Sequence, residues 1–229
     1  MQKSKVSAIV CAKNEERFIG ACLERLRRQT HPCEIIVVDG HSTDRTAKIA
    51  RRYAKVVFDN GKGIADARNM GWRTARGDII AYCDADCRPH PTWIEEIVAA
   101  IPGHVGVTGP IVPYDCDGYI AFNLRLWTDW LFGLSAKLGH PCVLGPNMAF
   151  RKAALEREPF RTPLMEDYDI GLRIRRLGRL AFNHKMKMSI SGRRYVSGFY
   201  RNAARYYIPN LFRLESELPL IHTEYWKRD

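Results

Sequence analysis

The sequence predicts an α/β fold, an open and mostly parallel mixed sheet with helices on both faces, in a single domain. Two observations carry that expectation. Short β-rich runs alternate with amphipathic stretches through the first hundred residues, and this βαβαβα rhythm favours a parallel sheet covered on both sides. No repeat, low-complexity tract or linker interrupts the 229 residues, and 46% apolar content suffices for a real core.

Val6 to Ala12 reads as a buried strand, and Glu16 to Gln29 as a helix, because Phe18, Ile19, Cys22, Leu23 and Leu26 recur at helical spacing. Glu34 to Asp39 is a second strand. Ser42-Thr43-Asp44 supplies N-cap chemistry for a helix to about Tyr53. Val56 to Phe58 is a third strand, Ile64 to Thr74 a helix and Asp78 to Cys83 a fourth strand. Pro91 to Ala100 reads as a helix with proline in its first turn. Beyond residue 100 the pattern loosens. Tyr119 to Leu138 reads as one long helix whose Tyr119, Phe122, Trp127, Trp130 and Phe132 are expected to pack in the core, ahead of lining an acceptor site or lying against a lipid interface, and Val143 to Phe150 as a strand. A helix from Glu166 to Leu177 stops at Gly178, two short strands lie near Leu180 and Met188, and Tyr195 to Tyr207 is a last basic, aromatic helix.

Composition excludes several classes. Disorder does not fit the apolar content, and the longest stretch without formal charge, Ile97 to Tyr114, is broken by Pro102, Gly103, Gly106, Gly109, Pro110 and Pro113, so it does not span a membrane. The charged N-terminus resembles no signal peptide, which makes the cytoplasm the expected compartment. Seven scattered cysteines without a CxxC pair argue against a disulfide framework or zinc ribbon; most read as small buried hydrophobes, while Cys83 and Cys87 flank two carboxylates and offer a thiolate metal site as a minor alternative. The net charge of +11 is concentrated: Gly171 to Arg213 holds eleven bases and no acid, which suits a polyanionic partner such as a nucleotide diphosphate or an anionic membrane.

The sharpest chemical feature is Asp84-Ala85-Asp86, where an apolar strand gives out into a loop. Alternate residues on an extended backbone point the same way, so both carboxylates are expected to meet one cation. Mg2+ or Mn2+ takes one or two protein carboxylates and completes its shell with water and phosphate oxygens, which makes a diphosphate clamp. Lys13-Asn14-Glu15 follows the first strand, Asp39 ends the second, and Arg68-Asn69 lies beyond Gly61-Lys62-Gly63. A strand-end carboxylate accepts from a base N–H or ribose hydroxyl, and arginine suits phosphate.

Taken with Val37-Val38-Asp39-Gly40, Ser42-Thr43-Asp44, Ala67-Arg68-Asn69, Gly77-Asp78, Gly145-Pro146-Asn147 and Glu166-Asp167, these residues resemble the family 2 glycosyltransferases over roughly residues 5 to 195. The resemblance implies the Rossmann-like GT-A fold and inverting transfer from a nucleotide diphosphate sugar, UDP-linked ahead of GDP-linked, to a hydroxyl acceptor. It implies that Asn14, Glu15 and Asp39 serve the nucleoside, that Arg68 approaches the diphosphate, and that Asp84 and Asp86 manage ribose and metal. Asp167, beside Glu166, becomes the general base, with residues 1–100 as the donor half of one domain and 101–229 as the acceptor half. His184 is a candidate third metal ligand.

The chain departs from the pattern of processive members. Ser191-Gly192-Arg193-Arg194-Tyr195 stands where they carry QxxRW, which argues against a polymer synthase while leaving Arg193 and Arg194 able to reach the diphosphate. A polyprenyl-phosphate sugar synthase is the alternative; its acceptor arrives ionised and needs no base, so Glu166-Asp167 favours a hydroxyl. Arg193 to Tyr207 interleaves bases with aromatics, the pattern of a peripheral membrane contact serving a lipid-linked acceptor. Nucleic-acid binding would use the same segment but leaves Asp39, Asp84, Asp86 and Asp167 idle, so no nucleic-acid partner is expected. A nucleotidyltransferase would be expected to carry a glycine-rich phosphate loop with a lysine near the N-terminus, and residues 12 to 20 hold one glycine.

Overall fold

In a computed structural model, which describes residues 5–137, 143–161 and 164–193, β1 (Val6–Ala12), β2 (Glu34–Asp39), β3 (Lys55–Phe58) and β4 (Ile79–Asp84) run parallel. β5 (Arg88–Pro89), β6 (Gly106–Thr108), β7 (Ile111–Pro113), β8 (Met148–Arg151), β9 (Leu180–Phe182) and β10 (Met188–Ile190) follow along the chain. The central sheet has the order β3-β2-β1-β4-β8-β6-β9, with β8 antiparallel to both neighbours, and β5-β10-β7 form a second, small sheet. The sheet is therefore mixed, as expected.

Alternation along the strands divides the core into two layers. Ala8, Val10, Val37 and Ala81 face the helices α1 (Ile19–Arg27), α2 (Thr46–Ala50) and α4 (Trp93–Ala100), meeting Leu23, Trp93, Ile94 and Ile97. Ile9, Ile36, Val38, Ile80 and Tyr82 face the opposite way, toward α3 (Ile64–Thr74), α7 (Lys152–Arg157) and α8 (Glu166–Ile174), with Trp72, Leu155 and Ile170. α3 lies so close to β1 that a Cβ on Gly71 would stand 2.3 Å from Ile9 Cγ2.

Several expectations are corrected. α1 begins at Ile19 rather than Glu16: residues 16–18 form a turn, with the Phe18 and Ile19 N–H groups both donating to the Glu15 carbonyl (3.0 Å each), while Thr46 Oγ1 (2.7 Å) and Asp44 Oδ2 (3.0 Å) accept from the Glu15 and Glu16 amides. The helix after Asp44 ends at Ala50. Of the strand expected over 143–150, only Met148 onward pairs, since side chains claim the backbone N–H and carbonyl of Gly145 and the carbonyl of Asn147. The long helix is α5 (Gly118–Leu126), a π turn (Trp127–Leu131) and α6 (Phe132–Lys137) in succession; Leu124 is buried and Phe132 packs against the core, but Tyr119, Phe122, Leu126, Trp130 and Leu134 are exposed. Arg173, counted among the basic excess, is buried and paired with Asp169 (2.6 Å) and Glu158 (2.6 Å). The helix expected over 195–207 lies outside the described residues. Among those described, no helix is long and apolar enough to cross a membrane.

Candidate active site

The register aligns Ala12 with Asp39 and Cys11 with Asp84, so β1, β2 and β4 end together and deliver their polar residues to one edge. Asn14 takes a left-handed conformation (φ 55°). Its side-chain oxygen accepts from the Thr43 N–H (2.9 Å) and its own N–H donates to Ser42 Oγ (2.9 Å), which makes it a brace between loops. Asp39 is fully buried; its Oδ1 accepts from the Ser42 N–H (2.7 Å), and its Oδ2 is buried without a hydrogen-bond partner. Glu15 repeats the arrangement, with Oε1 bound by Arg193 and Oε2 buried and unpartnered. A buried carboxylate oxygen left unmatched costs about 1–3 kcal/mol or more. Two such atoms at one sheet edge are therefore well placed to receive donors from a ligand.

Two arginines organise the carboxylates. Arg68 is 3% exposed; its Nη2 meets Glu166 Oε1 at 3.0 Å and stands 3.7 Å from Asp84 Oδ1, while Nη1 donates to the Gly145 carbonyl at 2.9 Å. The rings of Tyr82 and Phe160 each lie 5.7 Å from its guanidinium carbon. Burial alone would lower its pKa, and the carboxylates of Glu166 and Asp84 outweigh that and hold it charged. The expected approach to the diphosphate is thus corrected in geometry: Arg68 is enclosed and tied to the acid pair. Arg193, exposed at the rim, donates to Glu15, stands 3.1 Å from Asp86 Oδ2 and stacks 4.7 Å above the Phe18 ring. Asp115 fixes the approach by accepting from Ser191 Oγ (2.8 Å) and from the Gly192 N–H. Arg194 lies outside the described residues.

The acid pair starts α8, where the helix dipole favours negative charge. Asp167 Oδ2 accepts from the Gly145 N–H (2.8 Å) and Oδ1 from the Tyr168 N–H (2.9 Å). A Cβ on Gly145 would stand 2.7 Å from Arg68 Nη2 and 3.0 Å from Asp167 Oδ2, so this contact requires glycine. Burial pushes the Glu166 carboxyl up to about 7 despite the attraction of Arg68. Burial also raises Asp167, against the pull of Arg68 and its two N–H donors.

The extended-backbone argument for Asp84 and Asp86 does not hold. The Cys87 N–H closes a turn onto the Asp84 carbonyl (3.1 Å), and the two carboxylates go to different arginines. His184 is also corrected as a third ligand: its Nδ1 pairs with Asp129 Oδ1 and its ring meets Phe182 edge-on, and among the described residues no group of three or more His, Cys, Asp and Glu is arranged to hold a metal. Two hard carboxylates still match what Mg2+ or Mn2+ takes beside a diphosphate, so Asp84 and Asp86 fit that role without His184. The thiols of Cys83 and Cys87 are buried and pushed up, Cys83 by a hydrogen bond with Cys22 and by burial, Cys87 by burial, which suits inert core residues. Sequence reasoning missed Phe18, Asp115 and Phe160; Phe18 reads as one more apolar helix position, and the other two carry no local signal.

The strand order, with β8 antiparallel between β4 and β6, defines an α/β glycosyltransferase architecture of the GT-A type, and solved structures share it. The chain is similar to the mannosyltransferase PcManGT from Pyrobaculum calidifontis in complex with GDP-Man and Mn2+, with a TM-score of 0.73 at 21% identity, covering 99% of this chain and 68% of that one. It is similar also to S. aureus TarS 1-349 in complex with UDP-GlcNAc, with a TM-score of 0.68 at 20% identity, covering 82% and 58%. The chain belongs to glycosyl transferase family 2, which it matches over residues 7–158. Glycosyltransferase AglE of Haloferax volcanii is 37% identical over 108 residues, 43% of this chain and 36% of that protein. An uncharacterized glycosyltransferase of Haemophilus influenzae is 28% identical over 200 residues, 77% and 62% respectively. The chain spans 26% to 36% of the length of the first curated relatives it matches.

Proposed function

We propose that this chain transfers a sugar, with inversion, from a nucleoside diphosphate sugar, UDP-linked ahead of GDP-linked, to a hydroxyl acceptor, with Asp167 as general base. The observation that carries the reading is the pair of buried, unpartnered oxygens, Glu15 Oε2 and Asp39 Oδ2, beside Asp84 and Asp86 at the edge where β1, β2 and β4 end. A nucleoside offers N–H and O–H donors to such atoms. The donor belongs to the half formed by residues 1–100 and the acceptor to residues 101–229.

Asp84 and Asp86 would hold Mg2+ or Mn2+, which when bound withdraws charge from the departing diphosphate. Arg193 turns from Asp86 to the phosphates, exchanging one anionic partner for another and adding positive charge where the leaving group gathers negative charge. Asp167 takes the acceptor proton; its raised pKa makes it a stronger base than an ordinary aspartate, and the Gly145 and Tyr168 amides hold it in one orientation. Glu166 and Arg68 keep that orientation and carry no proton in the transfer. A lipid-linked acceptor and peripheral contact with an anionic membrane complete the proposal.

Asp167→Asn tests the base. Donor affinity, read by titration calorimetry, stays within a few-fold of wild type while kcat falls by about 10²- to 10⁴-fold. An unchanged kcat removes Asp167 from this role.

A further inference from the structure

The described residues expose six large apolar side chains strongly, and five of them, Tyr119, Phe122, Leu126, Trp130 and Leu134, stand on one helical segment. They follow one another in steps of three, four, four and four residues, the spacing of a single face. Tyr119 is 74% exposed and Trp130 67%. The opposite face is pinned to the fold: Leu124 and Thr128 are buried, and Thr128 Oγ1 donates to the Ile111 carbonyl of β7 at 3.0 Å. The ridge is therefore held outward by packing.

Bases stand beside it beyond its first turn, where Asp117 accepts from the Tyr119 N–H (2.7 Å). Arg125 is exposed on the helix itself. The turn between β9 and β10 is clamped to the segment by the His184–Asp129 pair and by His184 Cε1, which stands 2.9 Å from where a Cβ on Gly133 would be. That clamp matches the acid of the π turn, and the same clamped turn carries exposed Lys185 and Lys187. An apolar ridge with tyrosine and tryptophan on it and cations beside it is complementary to one surface in particular, the headgroup and upper acyl region of an anionic bilayer.

We infer that the Tyr119–Leu134 ridge is a membrane-docking surface, inserting its apolar side chains among the lipids while Arg125, Lys185 and Lys187 meet anionic headgroups. The inference rests on the proposed membrane contact and deepens it by assigning the contact to a helix face in the described fold instead of the basic segment beyond residue 193. It requires no glycosyl transfer.

Flotation of the full chain with phosphatidylcholine vesicles containing about one-third phosphatidylglycerol tests it. Wild type is expected to float with these vesicles in a salt-sensitive way and to show a blue shift of tryptophan emission. Phe122→Ala/Trp130→Ala is expected to partition about tenfold more weakly or worse at an unchanged melting temperature. Lys185→Glu/Lys187→Glu is expected to lose about tenfold on the anionic vesicles and little on pure phosphatidylcholine. Wild type that stays unbound overturns the inference, as does equal flotation of the Phe122/Trp130 variant, which would assign binding to another segment. A solution dimer that the same variant splits would give the ridge to a second copy instead. Because flotation involves no turnover, either result stands apart from the kinetics of Asp167→Asn.

Discussion

Arg68 and Arg193 each bridge two carboxylates of one cleft, yet they are built on opposite plans. Arg68 reaches Glu166 and Asp84 from inside the protein, with a backbone carbonyl on one nitrogen and aromatic rings beside its guanidinium. Arg193 reaches Glu15 and Asp86 from the rim, stacked on Phe18 alone, and the carboxylate it shares keeps an oxygen unmatched. The contrast separates two jobs that one residue type performs here. A buried arginine held between two carboxylates and a backbone carbonyl fixes an acid pair in place, whereas a rim arginine over an unsatisfied carboxylate can trade partners.

Removing the inner arginine breaks the comparison most severely. Arg68→Met leaves Glu166 buried without its cation, and denaturant titration is expected to show a loss of about 3–5 kcal/mol. A loss below about 1 kcal/mol would mean that the interior tolerates the bare carboxylates. Arg193→Ala is expected to leave stability within about 1 kcal/mol, because the pair is partly exposed, while weakening nucleotide-sugar binding about tenfold. Equal donor affinity in the two proteins would erase the proposed difference between rim and interior.

A finer test uses pH. Burial raises Glu166 from an ordinary 4.5 to about 7, so the folded chain binds its proton more tightly than the unfolded chain does. Folded stability on account of this group is therefore greatest below pH 4.5 and declines as pH rises toward about 7, with Asp167 acting in the same sense. Glu166→Gln is expected to flatten that slope in denaturation measured on either side of the window. An identical slope in the variant would place the titration elsewhere.

Much of this was legible in the residues themselves. α3 spans Ile64–Thr74, the stretch read as a helix from the sequence, and β1, β2 and β4 end where Asn14, Asp39 and Asp84 signal the sheet edge. Local patterns were enough there because each strand buries a mostly apolar run. What escaped depends on partners distant along the chain. Phe160 flanks Arg68 across more than ninety residues, Gly145 leaves its strand because Asp167 and Arg68 take its backbone, and nothing local tells whether the Tyr119–Leu134 face is covered. The divergence of Asp84 and Asp86 is a case of the same kind, since a single backbone turn onto Asp84 undoes the alternation that a strand would have given them.

The central claim, that Glu15 and Asp39 receive a nucleoside, is tested most directly by thermal unfolding with UDP- and GDP-sugars, with and without Mn2+, in wild type and Asp39→Asn. At about a hundredfold above Kd a donor is expected to add about 2.7 kcal/mol to wild type, more readily with the ion, and little to the variant. A chain that none of these sugars stabilises, or a variant stabilised as much as wild type, would contradict it.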